Sequence, residues 1–149
     1  MPGTSLIFPD DDAIDALVSA FERGRAPEGG FTHQAHLAVA LAYIDRHGTE
    51  GAIDHVRDGL LRFLELALGD SIAARVKYRE TVTVFWVRLL AAELAGTDPS
   101  RPLHERIAPL LERYRDASTI RRYYSSERLD SPEAREGYLE PDLQPLPMV

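Results

Sequence analysis

The sequence predicts an all-α fold, a single-domain bundle of about five main helices with an extended, proline-containing C-terminal tail. Apolar residues recur at helical spacing through most of the chain, and Gly and Pro residues interrupt these segments at short intervals. The length of 149 residues is close to the commonest domain size. We therefore expect one helical domain over residues 1–149, with a core from about 10 to 137 and a tail from 138 to 149.

The first predicted helix follows three aspartates, residues 10–12, and ends at Gly24. These aspartates are more typical of an N-cap and of negative charge at a helix N-terminus than of a cation site. Residues 24–31 form a loop, and Thr32 is a natural N-cap for a helix that ends at Gly48. Because this second helix is apolar on most sides, we expect it at the centre of the bundle.

The third predicted helix spans about residues 50–68, with Thr49 as its cap and Gly69 at its end. A fourth helix covers about residues 77–94. Four β-branched residues in a row, 81–84, make a strand the competing interpretation there. The length of the apolar segment favours a helix.

A fifth helix starts near residues 100–102, and Pro109 must kink or split it, because proline lacks a donor and clashes with the preceding turn. Residues 118–129 form a short helix or turns. Ser131 and Pro132 are typical of the N-cap and first position of another short helix. The tail contains three prolines, so we expect it to be extended, either laid over the bundle or loose.

Charge and cysteine content exclude several classes of function. The formal net charge of −7 counts against binding to nucleic acid and to anionic lipid. The sequence has no run of 18 apolar residues and no secretory signal at its start, so we expect a cytoplasmic protein with no membrane partner. The absence of cysteine excludes disulfides, thiolate metal sites and cysteine nucleophiles.

Two histidines, His33 and His36, stand three residues apart in the first turn of the central helix. Residues at this spacing share a helix face, about 5–6 Å apart at Cβ. Two neutral imidazoles placed in this way can bind one divalent ion. The alternative is a pair of half-exposed side chains whose ring nitrogens bond to backbone carbonyls.

Glu80 is the third candidate ligand. A carboxylate that points inward from an apolar helix requires a cation, a metal or several donors. Together with His33 and His36 it would form a two-histidine, one-carboxylate set that can hold one divalent metal ion, Zn, Fe or Cu, with open positions. The alternative is a charge that stabilises the helix N-terminus, or an ion pair between Glu80 and an arginine.

Several aromatic and polar residues are candidates to surround this site. We predict that the Tyr124 hydroxyl takes part in catalysis with His33, His36 and Glu80, because a tyrosine can orient a ligand or donate a proton. The competing interpretation places the tyrosines and the single tryptophan in the core. The candidate substrate-binding residues are Tyr78, Arg79, Thr83, Trp86 and Tyr123.

Four segments together resemble a family of small, largely uncharacterised bacterial helical proteins with the motifs F-x-H-x-x-H-L, Y-H-E-T-x-T, a tyrosine-rich segment and E-P-D-L. The resemblance covers roughly residues 30–145 and implies a shared pocket that includes His33, His36 and Glu80. Arg79 stands where the family motif has histidine, so it would repel a cation, pair with Glu80 or bind an anionic ligand. The segments are Phe31–Leu37, Tyr78–Thr83, Tyr123–Ser125 and Glu140–Leu143.

These observations predict a small enzyme with a polar pocket at the end of the bundle, acting on a small polar or carboxylated molecule; the resemblance implies a bacterial one. With a metal, the site would activate water or oxygen. Without one, His33 or His36 would be the general acid or base, with Glu80 orienting the ring and Arg79 placing the substrate. The alternative is a non-catalytic module that binds a small molecule or forms a homodimer, with the tail as the docking segment.

Overall fold

The computed structural model describes residues 6–27 and 30–147, and every regular element in those two ranges is helical. Residues 81–84 lie inside a helix, so the strand alternative is wrong. Residues 1–5, 28–29 and 148–149, which the domain prediction includes, lie outside the described residues. The helices are α1 (Asp11–Glu22), α2 (His33–Leu68), α3 (Ser71–Lys77), α4 (Glu80–Ala95), α5 (Leu103–Arg113), a 3₁₀ helix (Ala117–Arg122), α6 (Ser126–Leu129) and α7 (Pro132–Glu136).

Helices α2 and α4 form the centre of the bundle. Residues 37–43 of α2 and 83–87 of α4 are buried without interruption, which explains why both segments are apolar on all sides. Helix α2 contacts α1, α3, α4 and α5, as its central position in the prediction requires. None of the described helices is long and apolar enough to cross a membrane.

Gly48 divides α2 into two halves. Its backbone is non-helical, with φ 77° and ψ 179°, a conformation that side-chain-bearing residues rarely adopt. The structure therefore confirms a break at the predicted end, Gly48, where two helical segments of α2 meet at a kink. The end predicted at Gly69 is confirmed: Gly69 has φ 70°, and its N–H donates to the Glu65 carbonyl at 2.8 Å.

The predicted start of the fourth helix is wrong by three residues. Lys77 ends the separate short helix α3, and Tyr78 and Arg79 have extended backbone before α4 begins at Glu80. Helix α3 has its own N-cap, because the Asp70 carboxylate accepts a hydrogen bond from the Ile72 N–H at 3.0 Å. Only Ala74 of α3 is buried. Burial therefore imposes almost no periodic pattern of apolar residues on the sequence of this helix.

Two predicted N-caps are confirmed by hydrogen bonds. The Asp10 carboxylate accepts from the Ala13 N–H at 2.9 Å, and the Thr32 hydroxyl accepts from the Ala35 N–H at 3.1 Å. Helix α5 continues through Pro109, so this proline does not split the helix.

The C-terminal tail lies over the bundle as far as residue 147, the last one described. The Leu139 N–H donates to the Thr81 hydroxyl at 3.1 Å, and the Leu139 carbonyl accepts from the Tyr124 hydroxyl at 2.7 Å. Further on, the Leu143 N–H donates to the Tyr123 carbonyl at 2.9 Å. The sequence predicts a tail that is either laid over the bundle or loose, and the structure shows it laid over the bundle.

Gly59 lets α1 pack closely on the second half of α2. A Cβ atom at Gly59 would lie 2.0 Å from Cε2 of Phe21, whose ring is buried. We expect Gly59→Ala to lower the free energy of unfolding by about 1–3 kcal/mol, because an overpacked core forces rings out of position. Urea denaturation followed by circular dichroism measures this change.

Gly96→Ala is the matched control for Gly59→Ala. A Cβ atom at Gly96 has its nearest neighbour at 3.4 Å, in the Glu93 carbonyl, and we expect a change within about 0.5 kcal/mol. Equal losses in the two variants would contradict the close approach of Phe21 to Gly59.

Candidate functional site

His33 and His36 both begin α2, but their rings have different surroundings. The His33 Nε2–H donates to the Tyr114 carbonyl at 2.9 Å, and the His33 ring packs edge-on against Trp86 with centroids 4.8 Å apart. The His36 ring instead stacks on Phe31, with centroids 5.2 Å apart. His33 therefore fits the alternative to metal binding, in which a ring nitrogen is bonded to a backbone carbonyl.

His36 lines a hollow of about 390 Å³, which we call the His36 pocket. The pocket lies between the second half of α2 and the α3–α4 junction. Four predicted site residues meet here: His36, Tyr78, Arg79 and Thr83. The other lining residues are Leu60, Phe63, Leu64, Ala67, Lys77 and Val82.

Burial favours the neutral form of both imidazoles. Burial lowers the pKa of His36, and the nearby His33 imidazole lowers it further. Burial also lowers the pKa of His33, and this effect outweighs the hydrogen bond to Tyr114 and the charge of Asp116, which raise it. A neutral imidazole can accept a proton at one nitrogen and donate from the other.

Glu80 faces inward, and Arg57 binds its carboxylate. Arg57 Nε donates to Oε1 at 2.9 Å and Nη2 donates to Oε2 at 2.5 Å, while the Tyr78 hydroxyl donates to Oε1 at 2.8 Å. Burial alone raises the pKa of Glu80, but these hydrogen bonds and the Arg57 charge bring it below its usual range. Glu80 is therefore an ionised carboxylate held by three donors.

Glu80 lines a second hollow, of about 470 Å³, next to the His36 pocket. The two hollows share Tyr78, whose pKa is raised first by burial and also by its bond to Glu80. Tyr78 thus lines both hollows, and its hydroxyl is bonded to Glu80.

The predicted metal set of His33, His36 and Glu80 is not assembled. Across residues 6–27 and 30–147, no three His, Cys, Asp or Glu side chains are placed so that they could hold a metal ion together. The physical reason lies in the competing partners: Arg57 binds both oxygens of Glu80, and a backbone carbonyl binds Nε2 of His33. The ion-pair alternative for Glu80 is what the structure shows.

Arg79 pairs with Asp130 rather than with Glu80. Its Nη1 lies 3.2 Å from the Asp130 carboxylate, and the two side chains are 48% and 49% exposed. Such exposed pairs contribute about 0–1 kcal/mol, so the pair leaves Arg79 available to an anionic ligand.

The three other aromatic candidates lie outside the lining of the His36 pocket: Trp86 and Tyr124 belong to the core, and Tyr123 is half-buried against it. Trp86 is buried against His33, Tyr123 packs on Phe85 with centroids 5.0 Å apart, and Tyr124 is 1% exposed. The Tyr124 hydroxyl holds the tail through the Leu139 carbonyl, and burial raises its pKa. These positions fit the competing, structural interpretation and do not support a catalytic role for Tyr124.

Sequence reasoning missed three contributors to the site. Lys77 is the only lysine in the chain and lines the His36 pocket, so its uniqueness was a usable signal. Phe63 lies within the predicted 50–68 helix, and its position in the sequence does not indicate that it also lines a hollow. Arg57 is 23 residues from Glu80 along the chain, and no local pattern links the two.

A larger hollow of about 630 Å³ lies beneath the tail. Residues 140–147 form most of its wall, together with Thr49, Glu50 and Arg88, and it contains none of the predicted site residues. The His36 pocket is therefore the better candidate for a functional site.

Comparison of the chain with protein-family models, with curated proteins and with solved structures gave no match. The resemblance to a bacterial family thus stays a prediction that depends on the four sequence segments alone.

Glu80→Gln tests the ion pair. We expect it to lower the free energy of unfolding at pH 7 by about 1–3 kcal/mol, because Arg57 and Tyr78 lose a charged acceptor. The folded-state pKa of Glu80 is lowered, so this stabilisation is complete above the unfolded-state value of about 4.3. It disappears as the pH falls through the folded-state pKa. Urea denaturation from pH 7 to pH 3 should show the wild-type and variant free energies converging.

Asp15→Asn is the matched control for Glu80→Gln. Asp15 pairs with Arg46, but its side chain is 61% exposed, and we expect an effect below about 1 kcal/mol. A difference between wild type and Glu80→Gln that stays constant down to pH 3 would argue against a lowered pKa for Glu80.

Tyr124→Phe tests the role of this hydroxyl in the tail. We expect a loss of about 1 kcal/mol in the free energy of unfolding. The amides of Leu139 and Leu143 should also exchange faster in hydrogen–deuterium exchange, since both pair where the tail docks. Tyr123→Phe, which keeps the ring contact with Phe85, is the control and should leave both amides unchanged. Unchanged exchange in Tyr124→Phe would refute the anchoring role.

Proposed function

We propose that the His36 pocket binds a small molecule with an apolar body and a carboxylate, and that His36 acts there as a general acid or base without a metal. The observation that carries this proposal is the composition of one hollow, which combines an apolar wall, two cationic side chains and a neutral imidazole.

The size and wall of the pocket suit the apolar part of such a ligand. Its volume of about 390 Å³ falls within the range of small-molecule sites, about 300–1,000 Å³. Leu60, Phe63 and Leu64 are only partly buried in the folded chain. Their remaining apolar surface would leave water on binding, which contributes roughly 25 cal/mol per Å².

The cations suit the carboxylate. Lys77 and Arg79 lie at the α3–α4 junction and line the pocket. An arginine can bind a carboxylate in bidentate fashion, while a lysine acts as a compact point charge. In a protein whose net charge is −7, two cations beside an apolar wall mark a local preference for an anion.

His36 supplies the acid–base group. A general base must be unprotonated at the working pH, and burial keeps His36 in that state. The stack on Phe31 fixes the ring at the pocket wall. A carboxylate bound beside the ring would stabilise the imidazolium form, so binding and protonation of His36 are coupled.

A non-catalytic binding module is the second candidate. Tyr78 and Glu80, which could have assisted His36, are already engaged: the Tyr78 hydroxyl donates to Glu80, and Arg57 binds the Glu80 carboxylate. The pocket would then hold the same amphipathic carboxylate without transforming it.

Sodium octanoate and 1-octanol are suitable probes for this proposal. We expect octanoate to bind the full chain, to raise the pKa of His36 in ¹H–¹³C NMR titrations and to take up a proton. Calorimetry in buffers of different ionisation enthalpy measures that proton. Octanol should leave the pKa of His36 unchanged. His36→Gln should keep octanoate binding but lose the proton uptake; binding without any change in His36 would leave only the non-catalytic module.

Three variants test whether octanoate binds in the His36 pocket. Lys77→Gln should weaken octanoate about fivefold or more by removing a charged partner, and Leu64→Gln should weaken both octanoate and octanol. Leu64 is preferred to Phe63, whose ring also stacks on buried Phe21. Arg122→Gln removes an exposed cation outside the pocket and serves as the control. Failure of octanoate to bind, or binding that neither pocket variant weakens, would refute the proposal.

A further inference from the structure

The His36 pocket continues into a strongly cationic groove. A hollow of about 550 Å³, which we call the basic groove, shares Lys77 and Arg79 with the pocket. Arg135 and Val76 line both the basic groove and the hollow that contains Arg57 and Glu80, so these two hollows are also neighbours. The basic groove is lined by Leu68, Ala73, Val76, Lys77, Arg79 and Arg135.

The charges in the basic groove are poorly compensated. Three of its six lining residues are cations, and none is acidic. Among the described residues, neither Lys77 nor Arg135 takes part in an ion pair, and Arg79 has only its exposed pair with Asp130. Arg135 is also half-buried, so water screens its charge less than that of a fully exposed residue.

A single carboxylate would leave most of this positive charge unmatched. A phosphate group carries roughly two negative charges at pH 7 and three acceptor oxygens, and guanidinium groups bind phosphate in bidentate geometry. The side chains of Leu68 and Val76, which are 46% and 60% exposed, add apolar surface beside the cations.

We infer that the natural ligand of the His36 pocket is an apolar group joined to a phosphate-bearing head. The apolar group occupies the His36 pocket, and the phosphate lies in the basic groove against Lys77, Arg79 and Arg135. This inference depends on the proposed function, since it takes the His36 pocket as the site of the apolar group. It refines the head group of that ligand: a phosphate can engage Arg135 as well as the Lys77 and Arg79 that a carboxylate would engage, and octanoate then serves as the simplest anionic probe of the pocket.

The shape of the site favours a small molecule over a macromolecular surface. The pocket and groove are neighbouring hollows on either side of the shared residues Lys77 and Arg79, and they border α3, a helix of only seven residues. A flat anionic membrane would also meet the repulsion of a chain with a net charge of −7.

Octyl phosphate and octanoate distinguish the two ligand classes. We expect octyl phosphate to bind the full chain about tenfold more tightly than octanoate, measured by calorimetry, which corresponds to about 1.4 kcal/mol. Its affinity should also fall more steeply with added NaCl, because more charges are paired. Lys77 is the only lysine, so after ¹³C-reductive methylation it gives one side-chain NMR signal, which octyl phosphate should shift.

Arg135→Gln separates this inference from the proposed function. Arg135 lines the basic groove but not the His36 pocket. The variant should therefore bind octyl phosphate no more tightly than octanoate, with its octanoate affinity unchanged. Arg122→Gln is again the control and should alter neither affinity.

These experiments distinguish a failure of the proposed function from a failure of the inference about the phosphate. If neither probe binds, the proposed function is wrong and the inference fails with it. If octanoate binds as proposed but octyl phosphate binds no more tightly, or if Arg135→Gln leaves its tighter binding intact, only the inference is overturned. Displacement of octyl phosphate by an equal concentration of hexaglutamate would also overturn it, because the groove would then be a docking surface for acidic peptides.

Discussion

The ion pair between Arg57 and Glu80 determines the character of the site. It joins the second half of α2 to the first residue of α4 through two hydrogen bonds, and Tyr78 adds a third donor. Both side chains are mostly buried, at 31% and 16% exposure. Removing one member of such a pair leaves the other charge without compensation in a region of low polarity, which costs more than the intact pair contributes.

This pairing changes which chemistry remains beside His36. If Glu80 were unpaired, a carboxylate and an imidazole could cooperate as metal ligands or as a base and its orienting group. Because Arg57 holds the carboxylate, which does not line the His36 pocket, His36 is left with Tyr78, Thr83, apolar side chains and the cations Lys77 and Arg79. Burial favours the neutral form of this imidazole, and the cations beside it suit an anion rather than a metal cation.

Most of the fold could be predicted from the sequence because the signals that determine its helices are local. Caps at Asp10 and Thr32 and apolar residues at helical spacing depend on neighbours within one or two turns. Helix α3 was missed because its single buried residue, Ala74, sets no period. The site was predicted only in part. His36 does share a pocket with Tyr78. The contact between Arg57 and Glu80 joins segments 23 residues apart, and no rule based on residue spacing predicts it.

The start of α4 shows why a motif can reflect packing as much as chemistry. Helix α4 begins without a side-chain cap on its first turn, so neighbouring segments must hold it. Arg57 holds Glu80 from α2, and the Thr81 hydroxyl donates to the Gly137 carbonyl while accepting from the Leu139 N–H of the tail. Glu80 and Thr81 therefore fix two neighbouring segments to one helix end. Packing accounts for a charged and a hydroxyl residue in succession here, whether or not either one ever touches a substrate.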